Sequence, residues 1–130
     1  MDFVTFEIAK KLKEKGYPQV EKNTLAMYDE DGCISYLCPT LDANRNYYIF
    51  DDFDEDDCVS HTIYQVLKWL REVKRIDAGA LWDNRDGKWI GYINEMDMPD
   101  LVGEYVLPNT YDAYEQAAIA GIEYVLNNLI

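Results

Sequence analysis

The chain has 130 residues, with 12 Lys and Arg against 25 Asp and Glu and a formal net charge of -13. So acidic a chain is a poor candidate for gripping phosphate backbones or anionic lipid surfaces, both of which reward clustered cations. At 48% hydrophobic and 14% aromatic it has ample material for a packed core, which excludes wholesale disorder. One domain, 1–130, is the expectation at this length, with a possible subdivision near residues 51–59.

The first residues, Met1-Asp2-Phe3-Val4-Thr5-Phe6-Glu7, carry acids where a secretory signal would carry positive charge. The longest apolar run, Ala117–Ile122, is too short to cross a bilayer. Cysteine occurs at Cys33, Cys38 and Cys58, an odd set without a CxxC pair. Reduced thiols in a cytoplasmic setting are therefore expected, rather than a disulfide framework.

Residues 2–15 carry Phe3, Val4, Phe6, Ile8, Ala9 and Leu12 at helical spacing. Lysines crowd the end of this segment, where they complement the helix dipole, and Gly16 with Pro18 stops it. Leu25–Tyr28 and Cys33–Leu37 flank Asp29-Glu30-Asp31-Gly32, which predicts a hairpin because Gly accepts positive φ without steric conflict. Pro39 should end the second strand. Asn44-Arg45-Asn46 should turn the chain into a third, Tyr47–Phe50.

The run from residue 51 to residue 57 is the most conspicuous feature: Asp51, Asp52, Asp54, Glu55, Asp56 and Asp57 are six acids in seven positions. Self-repulsion predicts a solvated loop, and the six form a candidate acidic interaction segment. Their spacing suggests a calcium loop, but counting from Asp52 the sixth position is Asp57 rather than Gly and the twelfth is Ile63 rather than Glu. The charge is not confined to one end. Residues 1–59 hold 6 basic and 14 acidic groups, and residues 60–130 hold 6 and 11.

A second helix is expected from about residue 62, with Thr62 and Gln65 in capping-box spacing and Ile63, Val66, Leu67, Leu70 and Val73 on one face, Trp69 at its edge. Ala78–Trp82 and Lys88–Ile93 bracket a second hairpin turn, Asp83–Gly87. Gly103–Leu107 reads as a further strand closed by Pro108. The last helix should begin near Thr110 or Asp112, Asp112 and Glu115 again having the capping-box spacing. Its stripe is Tyr114, Ala117, Ala118, Gly121, Ile122, Val125, Leu126 and Leu129, with the small residues allowing close approach to a sheet. The order α-β-β-β-α-β-β-β-α implies an α+β fold, hairpins building antiparallel sheet and helices packed on one face.

No catalytic constellation stands out. Cys58-Val59-Ser60-His61 supplies only half of a zinc site. Ser35 and Ser60 lack a nucleophile elbow, and acids beside Cys58 oppose thiolate formation. Neither metal nor cofactor is therefore expected. Trp69, Trp82, Trp89 and 11 tyrosines could form a stacking platform, yet Trp82 and Trp89 flank one hairpin, where cross-strand packing accounts for them. Residues 62–128 share the element order of double-stranded-RNA-binding domains, but Tyr111–Leu129 contains no Lys or Arg, which argues against nucleic acid.

The segments FEIAKKLKEKGY, TIYQVLKWLRE and YDAYEQAAIAGIEYVL resemble a group of small gut-bacterial and prophage-encoded proteins of unassigned function. The matching positions are Thr62, Gln65, Val66, Trp69, Leu70, Arg71 and Glu72, then Tyr111, Asp112, Tyr114, Glu115, Ala120, Gly121 and Ile122. This chain has Ser60-His61 where that pattern has Pro, and a longer acidic insert before it. The resemblance implies capping and packing roles rather than a site. The expectation is a non-enzymatic module that binds another protein. The alternatives are a nucleic-acid mimic that occupies a DNA-binding enzyme, motivated by charge, and a carboxylate-based hydrolase, which would require an enclosed acid pair.

Overall fold

The computed structural model describes residues 3–19, 26–36, 56–97 and 104–130. The elements run α1 (Phe6–Glu14), β1 (Ala26–Tyr28), β2 (Ile34–Tyr36), β3 (Cys58–Ser60), α2 (Ile63–Val73), β4 (Ile76–Asp83), β5 (Lys88–Glu95), β6 (Glu104–Tyr111) and α3 (Tyr114–Asn128). The described residues form an α+β fold with two antiparallel three-stranded sheets, ordered β2-β1-β3 and β4-β5-β6. The chain divides into two compact units between His61 and Thr62. Cys38, Pro39, the turn at residues 44–46 and the strand expected at Tyr47–Phe50 lie outside the described residues.

In the unit Phe3–His61, α1 begins at Thr5, whose Oγ1 accepts the Ile8 N–H at 3.3 Å, and buries Ile8, Ala9 and Leu12. Gly16, at φ +88°, takes the left-handed conformation that ends it. The β1–β2 turn is held by the Asp29 carboxylate, which accepts N–H groups from Asp31 and Cys33 at 2.9 Å each. Gly32 completes that turn at φ +84°. The segment before α2, which the sequence marks only as half of a zinc site, was not expected to form a strand. It is nonetheless the strand β3, paired Tyr28 to Cys58 and Ala26 to Ser60, with all three residues buried. Three residues buried on both sides have no alternation, so periodicity cannot announce them.

In the unit Thr62–Ile130, the capping box is present: the Gln65 N–H donates to Thr62 Oγ1, and the Thr62 N–H donates to Gln65 Oε1 at 2.9 Å. Ile63, Val66, Leu67 and Leu70 are buried, whereas Val73, expected on the same stripe, is 58% exposed in the last turn. α2 packs on β4, and α3 lies across β4 and β5. The core between them is Ile76, Ala78 and Ile93 from the sheet with Ala117, Ala118, Ile122 and Val125 from α3.

Two boundaries differ from expectation. β6 does not stop at Pro108 but runs on to Tyr111. Its register with β5 shifts between Ile90, opposite Thr110, and Tyr92, opposite Val106. Pro108 falls in that irregularity, where a residue without an N–H removes nothing from the ladder. α3 starts at Tyr114 with Ala113 as its N-cap and no side-chain cap. Asp112 does not form the expected box; its carboxylate is taken by the Lys88 ammonium.

Candidate functional site

The hairpin register sets Trp82 directly opposite Trp89, and their rings meet edge to face with centroids 5.2 Å apart. Cross-strand packing thus accounts for the pair. The contact does not end there. Trp89 also meets Tyr114, from the first turn of α3, edge to face at 5.2 Å. Tyr114 in turn stacks on Tyr64, from the first turn of α2, at 6.2 Å with planes 17° apart. Four rings from four elements form one continuous strip. Its two ends face water: Tyr64 is 57% and Trp82 50% exposed.

Partial burial pushes the Tyr114 phenol above its ordinary range, reinforced by Tyr64 and Glu115 and opposed by Arg71. It remains a neutral donor. Beside the strip, Lys88 is held by Asp112, and the Asp83 carboxylate accepts the Arg85 N–H at 2.9 Å within the exposed turn. Tyr92, one residue along β5 from Gly91, donates its hydroxyl to Asp77 at 3.2 Å. Burial foremost, then Asp77, raises its phenol.

The acidic run is divided by what the structure describes. Asp51, Asp52, Asp54 and Glu55 lie outside the described residues. Asp56 is exposed. Asp57 departs from the expected solvated loop: it is 8% exposed, and its carbonyl oxygen accepts the Lys13 ammonium at 2.6 Å. A lysine from α1 offsets the like-charge repulsion at that end of the run.

Immediately after it, Cys58, Ser60 and His61 are all buried. Burial is the main reason the Cys58 thiol is held above its ordinary range, with Lys13 and Lys10 pulling weakly the other way. The local acid contributes less than desolvation, which sequence alone could not weigh. Ser60 donates its hydroxyl to the Val4 carbonyl at 3.2 Å. His61 packs edge to face with Tyr17 at 4.8 Å, and its Nε2 is buried without a hydrogen-bond partner. Burial lowers its pKa from 6.5 to about 4, so it is a neutral base at physiological pH. Among the described residues no group of three His, Cys, Asp or Glu is placed to hold a metal ion. Cys33 and Cys58 are free thiols.

Among the described residues of the unit Thr62–Ile130, open clefts include these two. One, about 210 Å³, includes Arg75, Glu95 and Asp97 in its wall. The Asp97 carboxylate there is 70% exposed and paired to Arg75 Nε at 3.4 Å, unlike the enclosed carboxylates of acid–base chemistry. The other, about 280 Å³, lies along β6 and α3 beside Tyr111 and Tyr124. No described helix is long and apolar enough to cross a membrane. Comparison of the chain with protein-family models, curated proteins and solved structures finds no match.

Sequence reasoning reached Trp82 and Trp89 but not Tyr64 or Tyr114 as members of one surface. Tyr114 was assigned to the buried stripe of α3, and it is indeed half-buried. Only the meeting of two helix starts at the sheet edge converts a tryptophan pair into a strip.

Proposed function

We propose that the chain is a non-catalytic protein-binding module of bacterial or prophage type and that the strip Tyr64–Tyr114–Trp89–Trp82 is its contact surface. The observation that carries this reading is the half-exposure of rings at both ends of a continuous aromatic contact. Tyrosine and tryptophan combine large apolar area with few rotatable bonds, so they bind at low entropic cost and dominate interface energetics. Both strand partners and both helix starts hold the rings in place before any partner arrives, which favours binding by preorganisation.

The test is co-purification from the native host, identification of what accompanies the protein, and titration of that purified partner by calorimetry. Replacing Trp82 and Tyr64 together by Ala should weaken the measured affinity by about a hundredfold, as expected for the loss of two aromatic anchors. An unchanged affinity in a folded double variant would remove the strip from the interface. A turnover that depends on Glu95 or Asp97 would replace the reading with a hydrolytic one.

A further inference from the structure

We infer that the partner segment received by the strip is cationic, a lysine- or arginine-bearing peptide whose side-chain charges lie over the exposed faces of Trp82 and Tyr64. The inference rests on the protein-binding reading above and specifies its partner chemistry.

Three observations support it. First, this chain already uses aromatic faces to hold ammonium groups: Lys10 Nζ sits 4.5 Å over the Phe6 ring, and Lys74 Nζ sits 5.5 Å over Trp69. The strip, a connected run of four rings, has no cation of the described residues over any of its faces. Lys88, next to Trp89 in β5, is turned instead to Asp112.

Second, the charges around the strip favour a cation. Asp83 and Asp86 follow Trp82 in the turn and Glu115 follows Tyr114, while Asp112 is neutralised by Lys88. Arg85, and Arg71 and Lys68 on α2, oppose them, but Glu115 outweighs Arg71 at the Tyr114 hydroxyl. Third, the net charge of -13 attracts cationic segments over long range and repels nucleic acid, whose bases also stack on aromatic rings. A cation over an indole or phenol face is attracted by the ring quadrupole, and the attraction grows as the site dries on docking.

The test titrates the intact chain with decalysine, deca-arginine, decaglutamate and an uncharged Gly/Ser decamer, following the indole NMR signals of Trp82, Trp89 and Trp69. The expected result is saturable shifting of the Trp82 and Trp89 signals by the two cationic peptides, with Trp69 little affected. Because any acidic protein attracts polycations, the deciding arm is Trp82→Leu combined with Tyr64→Leu, which leaves every charge in place. That variant should bind about tenfold more weakly. Equal binding by the variant, or equal shifts from the uncharged decamer, overturns the inference. If the native partner is lost with the strip rings but carries no cationic segment, the cationic inference fails while the protein-binding reading stands.

Discussion

Gly91 of β5 lies so close beneath Ala117 of α3 that a methyl group on Gly91 would sit 2.9 Å from the Ala117 carbonyl oxygen. It would also meet Leu107 Cδ1 at 3.0 Å. Across the same contact, a methyl group on Gly121 would find its nearest neighbour, the Gly79 carbonyl oxygen, at an ordinary 3.6 Å. The close approach of helix to sheet is therefore demanded by the strand glycine, not by the helical one.

Opposite outcomes follow for two similar substitutions. Gly91→Ala forces α3 away from the sheet and should destabilise the fold by about 2 kcal/mol. Gly121→Ala fits without displacement and improves helix propensity, so it should be neutral or stabilise by up to about 1 kcal/mol. Denaturant midpoints of the two variants check both. Equal losses would mean that the helix glycine, too, is sterically required.

Thr62 and Gln65 satisfy each other's backbone N–H groups at the start of α2. Thr62→Ala should destabilise by about 1 kcal/mol, and Thr62→Ser should recover most of that loss because the hydroxyl is the working group. Urea unfolding of wild type and the two variants measures it. A Ser variant as weak as Ala would place the contribution in the buried methyl instead.

His61 makes stability depend on pH in a defined direction. Its folded pKa of about 4 lies below the ordinary 6.5, so between those values the unfolded chain binds a proton that the folded chain refuses. Stability then falls as pH is lowered through this window, and His61 adds no slope above pH 6.5. The full contribution is about 3 kcal/mol, lost by pH 4. His61→Phe keeps a ring against Tyr17 and removes the unpartnered Nε2. The difference in unfolding free energy between wild type and variant should therefore widen by about one proton's worth of slope across that window. A pH-independent difference would show that His61 titrates alike in the folded and unfolded chain.

The Trp82–Trp89 contact should register as a coupling of about 1 kcal/mol in a double-mutant cycle with Leu at each position, the magnitude typical of edge-to-face pairs beyond their buried area. Trp82→Leu alone should change stability little, because half of that side chain is already in water. A large loss from this single change would mean that the ring supports the fold rather than a surface for binding.

Much of the molecule was legible in local pattern. Three-and-four spacing located all three helices, Thr62 with Gln65 marked a helix start, and Asp29 to Gly32 and Asp83 to Gly87 marked the two hairpin turns. These signals lie within a few residues of one another, so the backbone geometry that reads them is local. The strand β3 escaped notice because a three-residue strand buried throughout has no period. The Asp112–Glu115 spacing misled because it matches a capping box, while Lys88, brought alongside by the folded chain, claims the carboxylate.

What the sequence by itself determined is the α+β class, the three described helices and the two hairpins β1–β2 and β4–β5, since hydrophobic periodicity and turn chemistry act between near neighbours. Tertiary structure alone decided that Gly91 must lack a side chain, that Pro108 sits within a strand rather than ending one, that Asp57 is buried beside Lys13, and that Tyr64 and Tyr114 extend a tryptophan pair into a strip. Each of these depends on a partner distant in the chain, and which distant groups meet is settled by packing the whole surface of one element against another.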